Sequence, residues 1–443
     1  MDIERNNEEY TGEGAGTPGS GRYETGEGAG TPGDGRYEAR FYSEEPVKKK
    51  GPGFGLGIVL GLVLGICGTG VVCLVALVIM YNTNSLKLSF SSSEKLGMIE
   101  NMIRERYLHE DEVTDEMLED GMYKGMVESL GDPYSVYYTE KDYSELMDST
   151  SGSFGGVGIV MSQDPDTKDI VAIKVNEDSP ADKVGVSADD ILIKVNGEDI
   201  KGQDLSTVVS KIRGEVGTSV NITVLRGEEE LSFDIVRDVI KVTTVTYRME
   251  DEDKKEGYIY ISEFDDVTYE QFMDALEDLK GQGMKSLLLD LRSNPGGNLN
   301  TVCDICDELL PEGRIVYVED KNGKTNEYTS DAGQSYKGPM VVLVDENSAS
   351  ASEILTGALK DYGLAKIVGK KTFGKGIVQS VYPLGDGTAL KLTVEDYFTP
   401  NGHNIHGKGI EPDVEVDLDE EAYKKDQTDT QLEKAKKVLS DMP

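Results

Sequence analysis

The strongest hydrophobic signal along the chain is the run from Phe54 to Tyr81, which carries no charged residue. As a helix rising about 1.5 Å per residue it would reach about 42 Å, more than the roughly 30 Å of bilayer hydrocarbon. Its repeated glycines weaken a soluble helix but are common inside membranes. The pattern predicts a single transmembrane helix over 54–81. Lys48, Lys49 and Lys50 precede it, and positive charge on that side puts the N-terminus in the cytoplasm and the C-terminal bulk outside the cell membrane. A long polar stretch in front and no small-x-small site behind argue against a cleaved signal peptide.

Beyond the run the periodicity changes twice. Leu96, Ile99, Ile103 and Tyr107, then Leu118, Met122 and Met126, recur at helical spacing and predict a helical region over 90–152. The Ser93–Tyr107 helix offers a face that could pair with a second subunit, which leaves the oligomeric state open between a monomer and a homo-oligomer. Over 153–240 the pattern shortens to strands at Val157–Met161, Ile170–Val175, Ile191–Val195, Val220–Leu225 and Leu231–Ile235, with one helix at Leu205–Ile212 stopped by Gly214. Over 241–443, apolar segments Tyr258–Ile261, Ser286–Leu291, Met340–Val344 and Ile367–Gly369 alternate with helical stretches Tyr269–Gly281, Leu299–Leu310 and Ala351–Tyr362. That alternation predicts an α/β core, a mixed sheet with crossover helices, closed by an amphipathic helix at Thr430–Leu439.

Composition narrows the partners. Lys and Arg total 45 against 83 Asp and Glu, a net charge of −38, which argues against nucleic acid. Four cysteines and three histidines leave little for a disulfide scaffold or a zinc site, so no metal or other cofactor is expected. Thr11–Glu24 reads TGEGAGTPGSGRYE and recurs at 25–38 with Asp34 in place of Ser20. The repeat has too few apolar positions to stack, and 1–50 reads as a disordered cytoplasmic tail.

Three places carry chemistry. Phe154-Gly155-Gly156-Val157-Gly158-Ile159 enters a strand, and amides freed by glycine can hold a carboxylate, although an ordinary strand entry looks the same. Asn294-Pro295-Gly296-Gly297 ends an apolar strand in a turn that can present amides to an oxyanion. Ser348-Ala349-Ser350-Ala351-Ser352-Glu353 joins a strand to a helix, where a serine serves either as a nucleophile or as a helix cap. A base is needed for the first role. Lys375, between Gly374 and Gly376, would serve if burial disfavours its charged form.

Ser179-Pro180-Ala181 through Val186, followed by Asp190-Ile191-Leu192 and Val195-Asn196-Gly197, resembles the PDZ domain over 153–240, with Asp189 where relatives carry glycine. The resemblance implies that Gly156, Val157 and Gly158 form a carboxylate loop and that a peptide adds as a strand beside the Leu205–Ile212 helix. Taken in order, Gly125–Ser135, this PDZ region, Asn294–Gly297, Ser348–Glu353, Thr372–Gln379, Tyr397–Pro400 and Gly407–Asp413 resemble the carboxyl-terminal processing peptidases, or tail-specific proteases, over about Leu96 to Leu439. Asn347 departs from the glycine common before the serine run.

This resemblance implies an α/β protease core with an inserted PDZ domain, a small β-barrel-like fold with helices. Ser350 would be the nucleophile, Lys375 the general base and Gln379 the residue that orients the lysine. Glu353 would be an accessory acid, and the amides of Ala351 and of Gly296 or Gly297 would hold the oxyanion. The implied activity is a membrane-anchored serine endopeptidase that cuts protein substrates near their free C-termini. A non-catalytic, membrane-tethered PDZ receptor or adaptor is the alternative. Cys303 and Cys306 read as filling a helix's inner face rather than as a redox pair, and His403 with His406 makes a weak metal pair.

Overall fold

The computed structural model describes residues 90–442. The repeat tail and the apolar run at 54–81 lie outside the described residues. Among the described residues no helix is long and apolar enough to cross a membrane.

The described chain starts with α1 (Phe90–Arg106), α2 (Asp115–Glu128), a short strand β1 (Val136–Tyr138) and α3 (Glu140–Ser151). Threonine begins two of these helices: Thr114 Oγ1 accepts from the Met117 amide at 3.1 Å and Thr139 Oγ1 from the Asp142 amide at 3.2 Å. Gly152, at φ 62°, ends α3 in the left-handed conformation that glycine adopts without strain.

The next unit is entered and left through one ribbon, because β2 (Ser153–Gly156) pairs antiparallel with β9 (Asp238–Lys241). Between them β3 (Ile159–Gln163), β4 (Ile170–Val175), α4 (Pro180–Val184), β5 (Ile191–Val195), β6 (Glu198–Asp199), α5 (Leu205–Ile212), β7 (Ser219–Arg226) and β8 (Glu229–Val236) follow in order. The sheet runs β3-β4-β5-β7-β8, which leaves β3 at an edge, with β6 paired to β5. Its own core includes Val157, Ala172, Val208, Ile222 and Ile235. A two-pronged bond from Arg226 to the fully buried Asp190 (2.6 and 2.7 Å) pins the turn before β5 to the end of β7.

The larger unit continues with β10 (Val245–Asp251), β11 (Glu256–Ile261), α6 (Thr268–Gly281), β12 (Ser286–Asp290), α7 (Leu299–Leu309), β13 (Gly313–Asp320) and β14 (Thr325–Ser330). After these come β15 (Met340–Val344), α8 (Ala351–Asp361), β16 (Ala365–Gly369), β17 (Ile377–Pro383), β18 (Ala389–Phe398), β19 (Val414–Glu415), α9 (Glu420–Asp426) and α10 (Thr430–Ser440). One sheet has the order β10-β11-β12-β15-β16-β19, parallel except where β10 meets β11. Every residue of Met340–Val344 is buried because both faces are covered. Leu287, Leu289, Val342 and Val344 face α6, α7 and α8; Leu288, Val341 and Leu343 meet Ala435 and Leu439 of α10.

A second sheet, β1-β18-β13-β14 with β17 on β18, brings the chain's first described strand against one of its last. The hydrophobic pattern does not announce these strands. Their burial is partial, with β17 becoming exposed toward its end, so polar residues blur the alternation.

Candidate active site

The serine run sits in the turn between β15 and α8, and its three hydroxyls face different surroundings. Ser348 is fully buried, donating to the Leu291 carbonyl at 2.8 Å and accepting from the Asp345 amide at 2.9 Å. Ser352 is fully buried and donates to the Asn294 carbonyl at 3.0 Å. These two tie the turn to the Leu291–Asn294 segment that follows β12. Ser350 is half-buried and lines a cleft of about 540 Å³. Its backbone, at φ 55° and ψ −114°, lies where a residue with a Cβ is strained, a conformation that lifts the side chain out of a sharp strand-to-helix turn.

Lys375 lines the same cleft from the loop before β17. Its pKa is lowered, first by burial and next by the Lys391 charge, while Asp132 and Glu353 pull the other way. Among the described residues its ammonium has no carboxylate within ion-pair distance. What it meets is an aromatic face, with the Tyr134 ring centroid 4.7 Å from Nζ. That ring is placed by the Gly131–Ser135 loop. Asp132 accepts from the Tyr134 amide at 3.0 Å and from Ser135 Oγ at 2.6 Å, and Ser135 Oγ in turn accepts from the Thr393 amide at 3.1 Å. The Gly125–Ser135 stretch marked this loop in the sequence, but nothing local to it discloses that Tyr134 faces the lysine.

Glu353 joins the two loops. It is completely buried, and its carboxylate accepts from four donors: the Ser350 amide (2.9 Å), Thr372 Oγ1 (2.5 Å), the Gly374 amide (2.8 Å) and the Lys375 amide (2.8 Å). A carboxylate is acceptor-only, so its lone pairs match four inward donors. The residue therefore clamps the serine turn to the lysine loop and does not itself line the cleft. Gln379 lines the cleft, but its amide donates to the Ile377 carbonyl at 3.4 Å and makes no bond to Lys375. The expected orienting contact is absent among the described residues.

The two candidate oxyanion glycines are not equivalent. The Gly296 amide, one of the two expected alternatives, already donates to Asn294 Oδ1 at 2.8 Å. The Gly297 and Ala351 amides donate to no acceptor among the described residues, and both residues line the cleft. Gly296 matters for another reason. At φ 108° a Cβ there would come within 2.8 Å of Ser350 Cβ and 2.9 Å of the Ala351 nitrogen, so only glycine lets the turn approach this closely.

At a second site, Gly156, Val157 and Gly158 line a groove of about 340 Å³ between edge strand β3 and α5, which contributes Val209 and Ile212. The Val157 and Gly158 amides have no acceptor among the described residues. At the groove, the Arg213 guanidinium sits 3.8 Å from the Phe154 ring centroid. Cys303 and Cys306 are free and buried on the inner face of α7, their thiol pKa values pushed up by burial, that of Cys303 to about 12. Among the described residues no group of His, Cys, Asp and Glu could hold a metal ion.

Peptidase family S41 matches residues 255–416, the PDZ domain matches 171–226, and the activating protease CtpB N-terminal domain matches 79–142. The chain is 38% identical over 361 residues to a probable CtpA-like serine protease of Staphylococcus aureus (strain N315), spanning 79% of this chain and 71% of that one. A protein of the same description from Staphylococcus haemolyticus (strain JCSC1435) is 38% identical over 302 residues, spanning 68% and 60%. Among solved structures, the photosystem II D1 C-terminal processing protease is 30% identical, with a TM-score of 0.43 over 72% of this chain and 86% of that one. The extent of the staphylococcal match decides the matter: the chain belongs to peptidase family S41, as a serine protease of the C-terminal processing group that carries a PDZ domain.

Proposed function

We propose that the chain is a membrane-anchored endopeptidase that cuts protein substrates near their C-termini through a Ser350–Lys375 dyad. The observation that carries this reading is the pairing in one cleft of the only outward serine of the run with a half-buried lysine that has no carboxylate partner among the described residues. Neutral Lys375 Nζ takes the proton of Ser350 Oγ as the oxygen attacks the scissile carbonyl carbon. The resulting oxyanion is held by the Gly297 and Ala351 amides. Collapse expels the amine, which takes the proton back from Lys375 and leaves an acyl-enzyme. Water, deprotonated by Lys375, attacks the ester and releases the new C-terminus, regenerating Ser350. Glu353 holds the two loops in register throughout.

The substrate's terminal carboxylate binds the Val157 and Gly158 amides, with its last residues added alongside β3. The apolar run at 54–81 holds the protein in the cell membrane, with the catalytic and PDZ units outside the cytoplasm.

The test uses the chain on a peptide with an apolar free C-terminus and on its C-terminally amidated twin. Wild type is expected to cut the free acid faster, and Ser350→Ala and Lys375→Ala to bind it without cutting. Undiminished turnover by Lys375→Ala would discard the dyad. Binding without cutting by the wild type would favour the receptor reading.

A further inference from the structure

The active-site cleft contains a second charged feature that the serine–lysine chemistry does not use. The Phe264 amide donates to the Gly296 carbonyl at 2.9 Å, and the Phe264 carbonyl accepts from the Asn298 amide at 2.6 Å. This bridge fastens the segment after β11 to the glycine turn and places Glu263 and Asp265 in the cleft lining with Gly297. Asp265 is 5% exposed, yet its carboxylate accepts no hydrogen bond and meets no cation among the described residues. Burial, and then the charges of Glu263 and Asp266, push its pKa up to about 7. Asp266 is different: its carboxylate accepts from Asn298 Nδ2 at 2.7 Å, and its amide donates to the Thr150 carbonyl at 3.1 Å. Met147 of α3 and Leu299 of α7 add apolar lining to the same cleft. The cleft lining also holds the charged side chains of Lys375, Lys391 and Glu395.

A carboxyl this little exposed, with no protein donor or counter-ion among the described residues, depends on what enters the cleft for its partners, and a ligand that supplies both donor and charge satisfies it. We propose that Asp265, with Glu263 at the rim, forms a subsite for a cationic substrate side chain, lysine or arginine, whose aliphatic stem lies against Met147 and Leu299. The inference rests on the peptidase reading above and deepens it to a preference for a basic residue near the scissile bond.

The test is a series of uncharged peptides with one lysine walked across the scissile bond, each beside a norleucine twin, cut by the full chain. At one position wild type is expected to favour lysine at least tenfold in kcat/KM. Asp265→Asn should bring that ratio to about one. The ratio is internal to each variant, so a general loss of activity cancels. Glu263→Gln, on the exposed rim, provides a second variant should Asp265→Asn not fold; at least a twofold fall in the ratio supports the subsite. The wild-type ratio should also climb as pH rises through about 7, where Asp265 ionises. Equal cutting of both twins at every position by wild type, or an unchanged ratio in both variants, overturns the subsite alone. If wild type cuts neither twin, the peptidase reading fails and the subsite falls with it.

Discussion

Glu353→Gln replaces one oxygen of the buried clamp with an NH2 group. The four donors that converge on the carboxylate come from the Ser350, Gly374 and Lys375 amides and the Thr372 hydroxyl. Thr372 Oγ1 also accepts from the Ile410 amide at 2.7 Å, so its own proton is directed at Glu353. Glutamine keeps one acceptor oxygen, good for two of the four bonds, and turns two N–H groups toward two other donors. A hydrogen bond to a charged group contributes about 1.5–3 kcal/mol, so two lost bonds cost about 3–6 kcal/mol. A neutral amide is cheaper to bury than a carboxylate, which offsets part of this and leaves about 2–4 kcal/mol. The loss falls on the joint between the Ser350 turn and the Lys375 loop. Misplacing a catalytic group by about 1 Å lowers a rate about a hundredfold. Urea denaturation, amide exchange at Gly374 and Lys375, and steady-state kinetics should show a lower midpoint, faster exchange at those two amides, and a fall in kcat larger than the change in KM. A midpoint and a kcat both within twofold of wild type would refute the clamp.

Four further outcomes can be checked in the same way. Lysine must be neutral to act as the base, so kcat/KM should rise with pH to a plateau, with a midpoint below the ordinary lysine value of about 10.4. Because burial lowers this pKa in the folded chain, the native state binds fewer protons between the folded and unfolded values, and stability rises with pH across that window. Lys375→Met should therefore raise the urea midpoint most at the acid end, and a pH-independent gain would contradict the burial. Tyr134→Leu removes a ring face that favours the charged lysine by about 0.5–2 kcal/mol, so the activity midpoint should move down by about 0.4–1.5 pH units; an unmoved profile would show that the ring does not act on Lys375. Arg292 bonds Asp290 (2.6 Å) and Asp429 (2.8 Å) from a mostly buried position, so Arg292→Met should cost about 3–5 kcal/mol in urea unfolding, with Arg292→Lys intermediate. A loss below about 1 kcal/mol in Arg292→Met would mean that the cluster does not anchor the start of α10.

The central sheet was legible because its strands are continuous apolar runs: Met340–Val344 is both the predicted and the observed strand, and Leu205–Ile212 is likewise recovered as a helix. The serine run and the glycine-flanked lysine stood out for their residue types. Their placement in one cleft did not, because it depends on Glu353, a residue whose helical spacing says only that it opens α8. Nor could the chain tell Gly296 from Gly297. Both free an amide from side-chain crowding, and the choice turns on whether Asn294 Oδ1 reaches one of them first. Tyr134 and Asp265 were invisible for a related reason. Each acts through where the partly buried second sheet or the Phe264 bridge places it, and local periodicity carries no record of such long-range contacts.

The backbone at Ser350 has a consequence for anyone evolving this protein in the laboratory. A non-glycine residue held at φ 55°, ψ −114° stores roughly 1–3 kcal/mol that a residue without a Cβ would release. Libraries screened for heat resistance alone will thus enrich glycine at position 350 and, with Ser350 as the proposed nucleophile, fill with robust but inert clones. Thermal selection on this scaffold must be coupled to a turnover readout from its first round.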